Sequence, residues 1–207
     1  MEPIAKILIY IHAATGGLAL LAGLISLIAT KGFTLHRRSG LVFYFSMLVS
    51  ALTALVVATI PNHQSPFLFA VGVFSLYFIL TGKRALRFKK KKYDLHWDKR
   101  ISWMMIVTGI LMVILPMLVS KTLNIVLCVF AGLGIVFSVR DLLLFKNRDK
   151  LQKVWLKLHL GKMMGAYISA TTAFVVVNEL LPGLYAWFLP GLAGGVLIVF
   201  WIRKLNR

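Results

Sequence analysis

An all-α bundle of seven membrane-crossing helices is the fold class this sequence predicts, and three observations predict it. Of 207 residues, 59% are hydrophobic and 14% are charged, with a mean hydropathy of +0.85. Soluble domains run at about 45–50% apolar and about 25% charged. The uncharged runs have the length of membrane spans, which need about 20 apolar residues. The basic residues gather in alternate connections between those runs. Long apolar runs bounded by charge also favour helices over barrel strands, whose residue-by-residue alternation is absent.

Glu2 and Lys6 precede 24 uncharged residues, 7–30, which make the first crossing. The start lacks the basic n-region and short apolar core of a cleavable signal peptide. Residues 39–82 contain no Lys, Arg, Asp or Glu, too long a run for one crossing. The turn formers Pro61, Asn62, His63, Gln64, Ser65 and Pro66 divide it, giving spans at 39–60 and 66–82. Spans at 101–120 and 122–139 meet at the short turn around Lys121. A sixth runs over 163–181, and Pro182-Gly183 turns the chain into a seventh, 184–202. The whole, 1–207, reads as a single transmembrane domain, with Pro116 expected to kink the fourth span.

The chain sets 24 Lys and Arg against 6 Asp and Glu, a net charge of +18. In a soluble chain that balance would point to nucleic acid; here 22 of the 24 basic residues fall on one face of the seven spans. The positive-inside rule assigns that face to the cytoplasm, with the N-terminus outside and the C-terminus cytoplasmic. Lys89, Lys90, Lys91 and Lys92 then read as a topology signal beside anionic lipid headgroups. The expected partners are the bilayer and those headgroups, with no nucleic acid. Tyr185, Trp187 and Trp201 fit interfacial anchors, and the Gly161/Gly165 and Gly191/Gly195 pairs fit close helix packing.

Five histidines carry the functional signal. Leu35-His36, Leu95-His96 and Leu158-His159 each stand where the chain enters an even-numbered span from the basic side, 60 and 63 residues apart. That is the period of a helical hairpin. His36 and His159 share Tyr at +8 and Ser at +10 (Tyr44, Ser46; Tyr167, Ser169). Imidazoles at one depth, joined by Asp141 or Asp98, are suited to a divalent, zinc-like metal or to a b-type haem. The same places hold Arg37, Arg38, Arg84 and Lys162 near helix N-termini, a setting for an anion or lipid headgroup. Interfacial capping is the bland reading. His12 stands apart in the outer half of the first span, with Asn178 on the sixth as a candidate partner in an intramembrane polar site. Cys128 is the only cysteine, so no intrachain disulfide forms, and it has no polar neighbour in sequence to make it a nucleophile.

Taken in order, His12-xxx-Gly16, Leu35-His36-Arg37-Arg38-x-Gly40, Gly82-x-Arg84-Ala85-Leu86, Asp141, and the stretch from His159 through Met163, Gly165, Tyr167, Thr172 and Ala173 to Asn178 form a pattern. It resembles a bacterial family of predicted multi-pass membrane proteins, a domain of unknown function, over roughly residues 7–180. The resemblance implies a bacterial inner (plasma) membrane and interest in His12, His36, Asp141 and His159. It supplies no reaction, and His96 lies outside its motifs.

The leading expectation is therefore a cofactor-site membrane protein with His36, His159 and Asp141, and His96 as a further candidate, as ligands near the cytoplasmic face. It would serve as a metal-dependent hydrolase or a haem electron carrier. The alternatives are a transporter or binding protein for a small molecule or anionic lipid, and a structural subunit of a membrane complex.

Overall fold

Among the described residues, seven helices are long and apolar enough to cross a membrane. A computed structural model describes residues 2–205, excepting the side chains at 66, 67 and 120. The helices are α1 (Glu2–Ile28), α2 (Thr34–Val57), α3 (Pro66–Arg84), α4 (His96–Ser120), α5 (Ile125–Leu144), α6 (Arg148–Val177) and α7 (Leu184–Leu205), with a 3-10 turn at Ala85–Lys89. Most extend further on the basic side than the uncharged runs do, and α6 reaches back to Arg148. Lysine and arginine are good helix formers, and their long stems let charged heads leave the membrane while the backbone stays helical. Pro116 lies inside α4, which continues through it.

Local chemistry sets the boundaries. Asn124 and Asn147 accept from the backbone N–H groups of Leu127 (3.1 Å) and Lys150 (2.9 Å) and so cap α5 and α6. Ser65 caps α3 through Leu68 N–H. Each side chain satisfies one of the donors a helix start leaves free. Lys121 ends α4 at φ +52°, and Gly32 turns the α1–α2 connection at φ +84°.

α3 is the central helix: 61% of its membrane window is buried, against 11–39% for the others. α2, α4 and α6 pack around it, α1 lies on α2, and α7 lies on α6. Its Phe74, Tyr77 and Phe78 form the middle of the core with Met105, Phe130 and Ala166. Apolar side chains gain little by leaving lipid for protein, so association rests on close packing and polar contacts between helices.

The α1–α2 pair shows how specific those contacts are. Both helices carry the same spacing, His12/Gly16/Ser26 and His36/Gly40/Ser50. A step of 14 residues is close to four helical turns, so histidine and serine share one face. Packed antiparallel, each histidine meets the other helix's serine. His12 Nδ1 donates to the Ser50 carbonyl (2.9 Å) and Ser50 Oγ to the His12 carbonyl (3.2 Å). His36 Nδ1 donates to the Ser26 carbonyl (3.0 Å), with Ser26 Oγ 3.5 Å from the His36 carbonyl. Gly16 makes room at one end, where a Cβ would sit 3.2 Å from Ser50 Oγ; at Gly40 a Cβ would stand at ordinary contact distance, 3.5 Å, from Ser26 Oγ.

Candidate functional site in a basic-mouthed cleft

The repeated histidines divide by role. A carbonyl oxygen can only accept, so Nδ1 must be the protonated nitrogen on His12, on His36, and on His159, which donates to the Gly82 carbonyl on α3 at 2.8 Å. His36 and His159 thus make the same kind of bond, tying the first turn of α2 and the interior of α6 to the last turn of a neighbouring helix. They lie within electrostatic range of each other and of Lys83. His96 departs from the pattern. It is the exposed first residue of α4, and its backbone N–H is taken by Asp94 (2.9 Å). That bond holds the Asp94 carboxyl below the usual carboxylate range.

Asp98 and Arg84 meet each other rather than the histidines. Asp98, 1% exposed, receives Arg84 through two bonds of 2.7 and 2.6 Å. Arg84 therefore locks the end of α3 to the start of α4 and is not free for an anion. Arg37 and Arg38 remain exposed on the first turn of α2. His12 and Asn178 form no joint polar site, because His12 faces Ser50 and the Asn178 amide bonds its own helix at Phe174 (2.8 Å). Among the described residues, no three His, Cys, Asp or Glu side chains come together as a metal-binding group.

Asp141 has a different set of neighbours. It is buried on α5, and its Oδ2 accepts from Lys162 Nζ of α6 (2.6 Å) and from the Tyr77 hydroxyl of α3 (2.6 Å). Lys162 also bonds the Tyr77 oxygen. Its ammonium stands 4.2 Å from the Tyr77 ring centre and 5.7 Å from those of Phe78 and Phe137, within cation–π range. Ser138, fully buried, sits beside the Tyr77 hydroxyl with its own Oγ outside hydrogen-bonding geometry. A buried ion pair in a membrane is expensive and by default marks function. The isolated charges Asp141 and Lys162 were visible in the sequence. Tyr77 was not, since one tyrosine on an apolar helix carries no sign of which group its hydroxyl will meet.

This pair forms part of the wall of a cleft of about 1190 Å³ between α5, α6 and α7, backed by Phe74 and Phe78 of α3. α5 and α7 touch through the ring pair Phe130–Trp187 (6.4 Å), and the cleft runs from there to Asn147, Lys150 and Ile202 at the basic end. Trp187 is thus a wall of the cleft. The glycine pairs split. A Cβ on Gly165 would lie 2.8 Å from Phe78, whereas Gly161, Gly191 and Gly195 border the cleft with nothing within 4 Å. Its wall holds Arg140, Lys150, Lys157 and Lys162 against one acid, Asp141, which Lys162 already occupies.

Among known families, DUF2306, described as a predicted membrane protein, matches residues 9–140, more than half of the 207. The chain belongs to that family. The DUF2306 segment includes His12, His36, Tyr77, Arg84 and Asp98 and stops one residue before Asp141. The motif from His159 to Asn178 and the α6–α7 side of the cleft lie beyond it. No curated protein and no solved structure matches the chain.

Proposed function

We propose that this DUF2306 protein binds an anionic lipid of the surrounding bilayer in the α5–α6–α7 cleft. One observation carries the reading: an apolar, aromatic cleft ends in a mouth whose three cations, Arg140, Lys150 and Lys157, have no carboxylate partner among the described residues. Ligand pockets for small molecules span about 300–1,000 Å³, so about 1190 Å³ is large enough for acyl chains. Basic side chains beside a membrane attract acidic lipid by about 1 kcal/mol each. By the positive-inside rule the mouth faces the cytoplasmic leaflet.

A second reading is favoured by the tautomers of His36 and His159. A ring N–H given to a backbone carbonyl is the usual support of a metal- or haem-ligating imidazole, and it leaves Nε2 of each ring as the free lone pair. Asp141 takes no part in that arrangement.

Native mass spectrometry of the purified protein tests both. An anionic lipid should co-purify, and Lys150→Gln with Lys157→Gln should weaken its binding by about thirty-fold, the equivalent of about 2 kcal/mol. Lipid retention unchanged by these substitutions would reject the cleft as the site. A mass increment of haem or metal that disappears in His36→Ala and His159→Ala would favour the second reading.

A further inference from the structure

Lys162 lies five residues beyond Lys157 along α6, about 7.5 Å deeper at 1.5 Å per residue. Both line the same cleft. At that depth two donors, the Lys162 ammonium and the Tyr77 hydroxyl, converge on a single oxygen, Oδ2 of Asp141. Two donors focused on one anionic oxygen form a receptor for an acidic group, and here the protein's own carboxylate fills it.

We propose that Lys162 is a second, deeper anion subsite in which an acidic lipid headgroup exchanges for Asp141, and that Asp141 takes up one proton as it is displaced. The inference rests on the cleft-binding reading and adds to it a ligand-exchange step and a proton. The charge count requires the proton. Lys162 and Asp141 sum to zero; a monoanionic headgroup on Lys162 makes the site −1, and an unpaired buried carboxylate is neutralised rather than tolerated. The other groups facing Asp141 supply no replacement cation from the neighbouring helices. Tyr77 on α3 is a neutral donor, Ser138 on α5 is a hydroxyl, and the side chains that α7 adds to this wall are apolar. Asp98, the acid on α4, is committed to Arg84 at the end of α3, and Lys83 beside it lies over the Tyr44 ring of α2 (5.6 Å). Arg140, next to Asp141 in the chain, is exposed at the mouth, where it meets the incoming headgroup. The proton passes through the open mouth from hydronium, which the buffer acid replenishes: one donor–H bond breaks, the O–H bond of Asp141 forms, and no other covalent bond changes.

Because binding consumes a proton, affinity for the lipid rises as pH falls, by up to tenfold per pH unit while the exchange is fully coupled. The test is calorimetric titration of the detergent-solubilised full chain with dihexanoyl-phosphatidylglycerol, a soluble lipid whose phosphodiester stays monoanionic. Two buffers of different ionisation enthalpy at one pH give the number of protons taken up. About one proton per lipid in the wild type, and none in Asp141→Asn, is the expected result. Saturable binding with no proton uptake overturns the exchange while leaving the cleft reading intact. Absence of saturable binding overturns both. Full uptake retained by Asp141→Asn refutes the assignment to Asp141. If that variant fails to fold, the charge-neutral double variant Asp141→Asn/Lys162→Gln replaces it, and proton uptake there counts against the proposal in the same way.

Discussion

Gly165 has no room for a methyl group. Its missing Cβ would meet the Phe78 ring at 2.8 Å, and that ring cannot yield, being wedged between Phe74 (4.7 Å) and Phe137 (5.5 Å). Overpacking a filled core costs about 1–3 kcal/mol, so Gly165→Ala should lower the melting temperature in detergent. Gly17→Ala, with open space around its Cβ, should leave it within the range of a surface change, about ±0.5 kcal/mol. Equal effects of the two would deny that α6 and α3 pack through this glycine. At this scale the sequence was partly legible. Gly165 was recognisable from its four-residue spacing as a packing position, but its partner Gly161 proved to border the cleft. The intramembrane charges stood out because such residues are rare. Their partners did not, because which helix lies opposite is a property of the bundle.

Each element owes its placement to a few polar contacts. The joint between α3 and α4 is the Arg84–Asp98 pair, with Asp98 almost wholly enclosed and the Arg84 side chain 17% exposed. Removing one partner of a buried pair costs about 3–5 kcal/mol; Asp98→Ala should fall near the lower end because Arg84 can still reach water. Thermal unfolding would measure it. The double variant Arg84→Gln/Asp98→Asn should lose less than the sum of the single variants, and simple additivity would show that the pair is not coupled. The α1–α2 clasp belongs to the same scale. Its spacing of histidine, glycine and serine was present in both helices, yet the Leu-His repeat drew the eye to the start of each even-numbered helix. The likeness of His36 and His159 is structural: each gives its Nδ1–H to a carbonyl near the end of a neighbouring helix, His36 from the first turn of α2 and His159 from the interior of α6. His96 shares the dipeptide and not the task, because Asp94 and Asp98 organise that entrance.

The whole molecule carries its charge on one face. Along the sequence, residues 31–38, 83–100, 140–162 and 203–207 hold 22 of the 24 basic residues, and the mouth of the cleft opens among those of 140–162. A cysteine introduced at His63 in a Cys128→Ser background should react with a membrane-impermeant reagent added to intact cells. One introduced at Lys90 should not. The reverse labelling would invert the orientation and place the cleft mouth outside.

The sequence by itself determined the number of crossings, their approximate limits and the gathering of charge on one side. All of these follow from the cost of charge in hydrocarbon, which acts on each residue locally. Tertiary structure alone decided the partners: Asp141 with Lys162 and Tyr77 rather than with the histidines, Arg84 with Asp98, His12 with Ser50. In a lipid-surrounded bundle, helix pairing depends on close packing and on a few directional bonds. Those are relations between surfaces far apart in the chain, and no local pattern of apolar and charged residues encodes them.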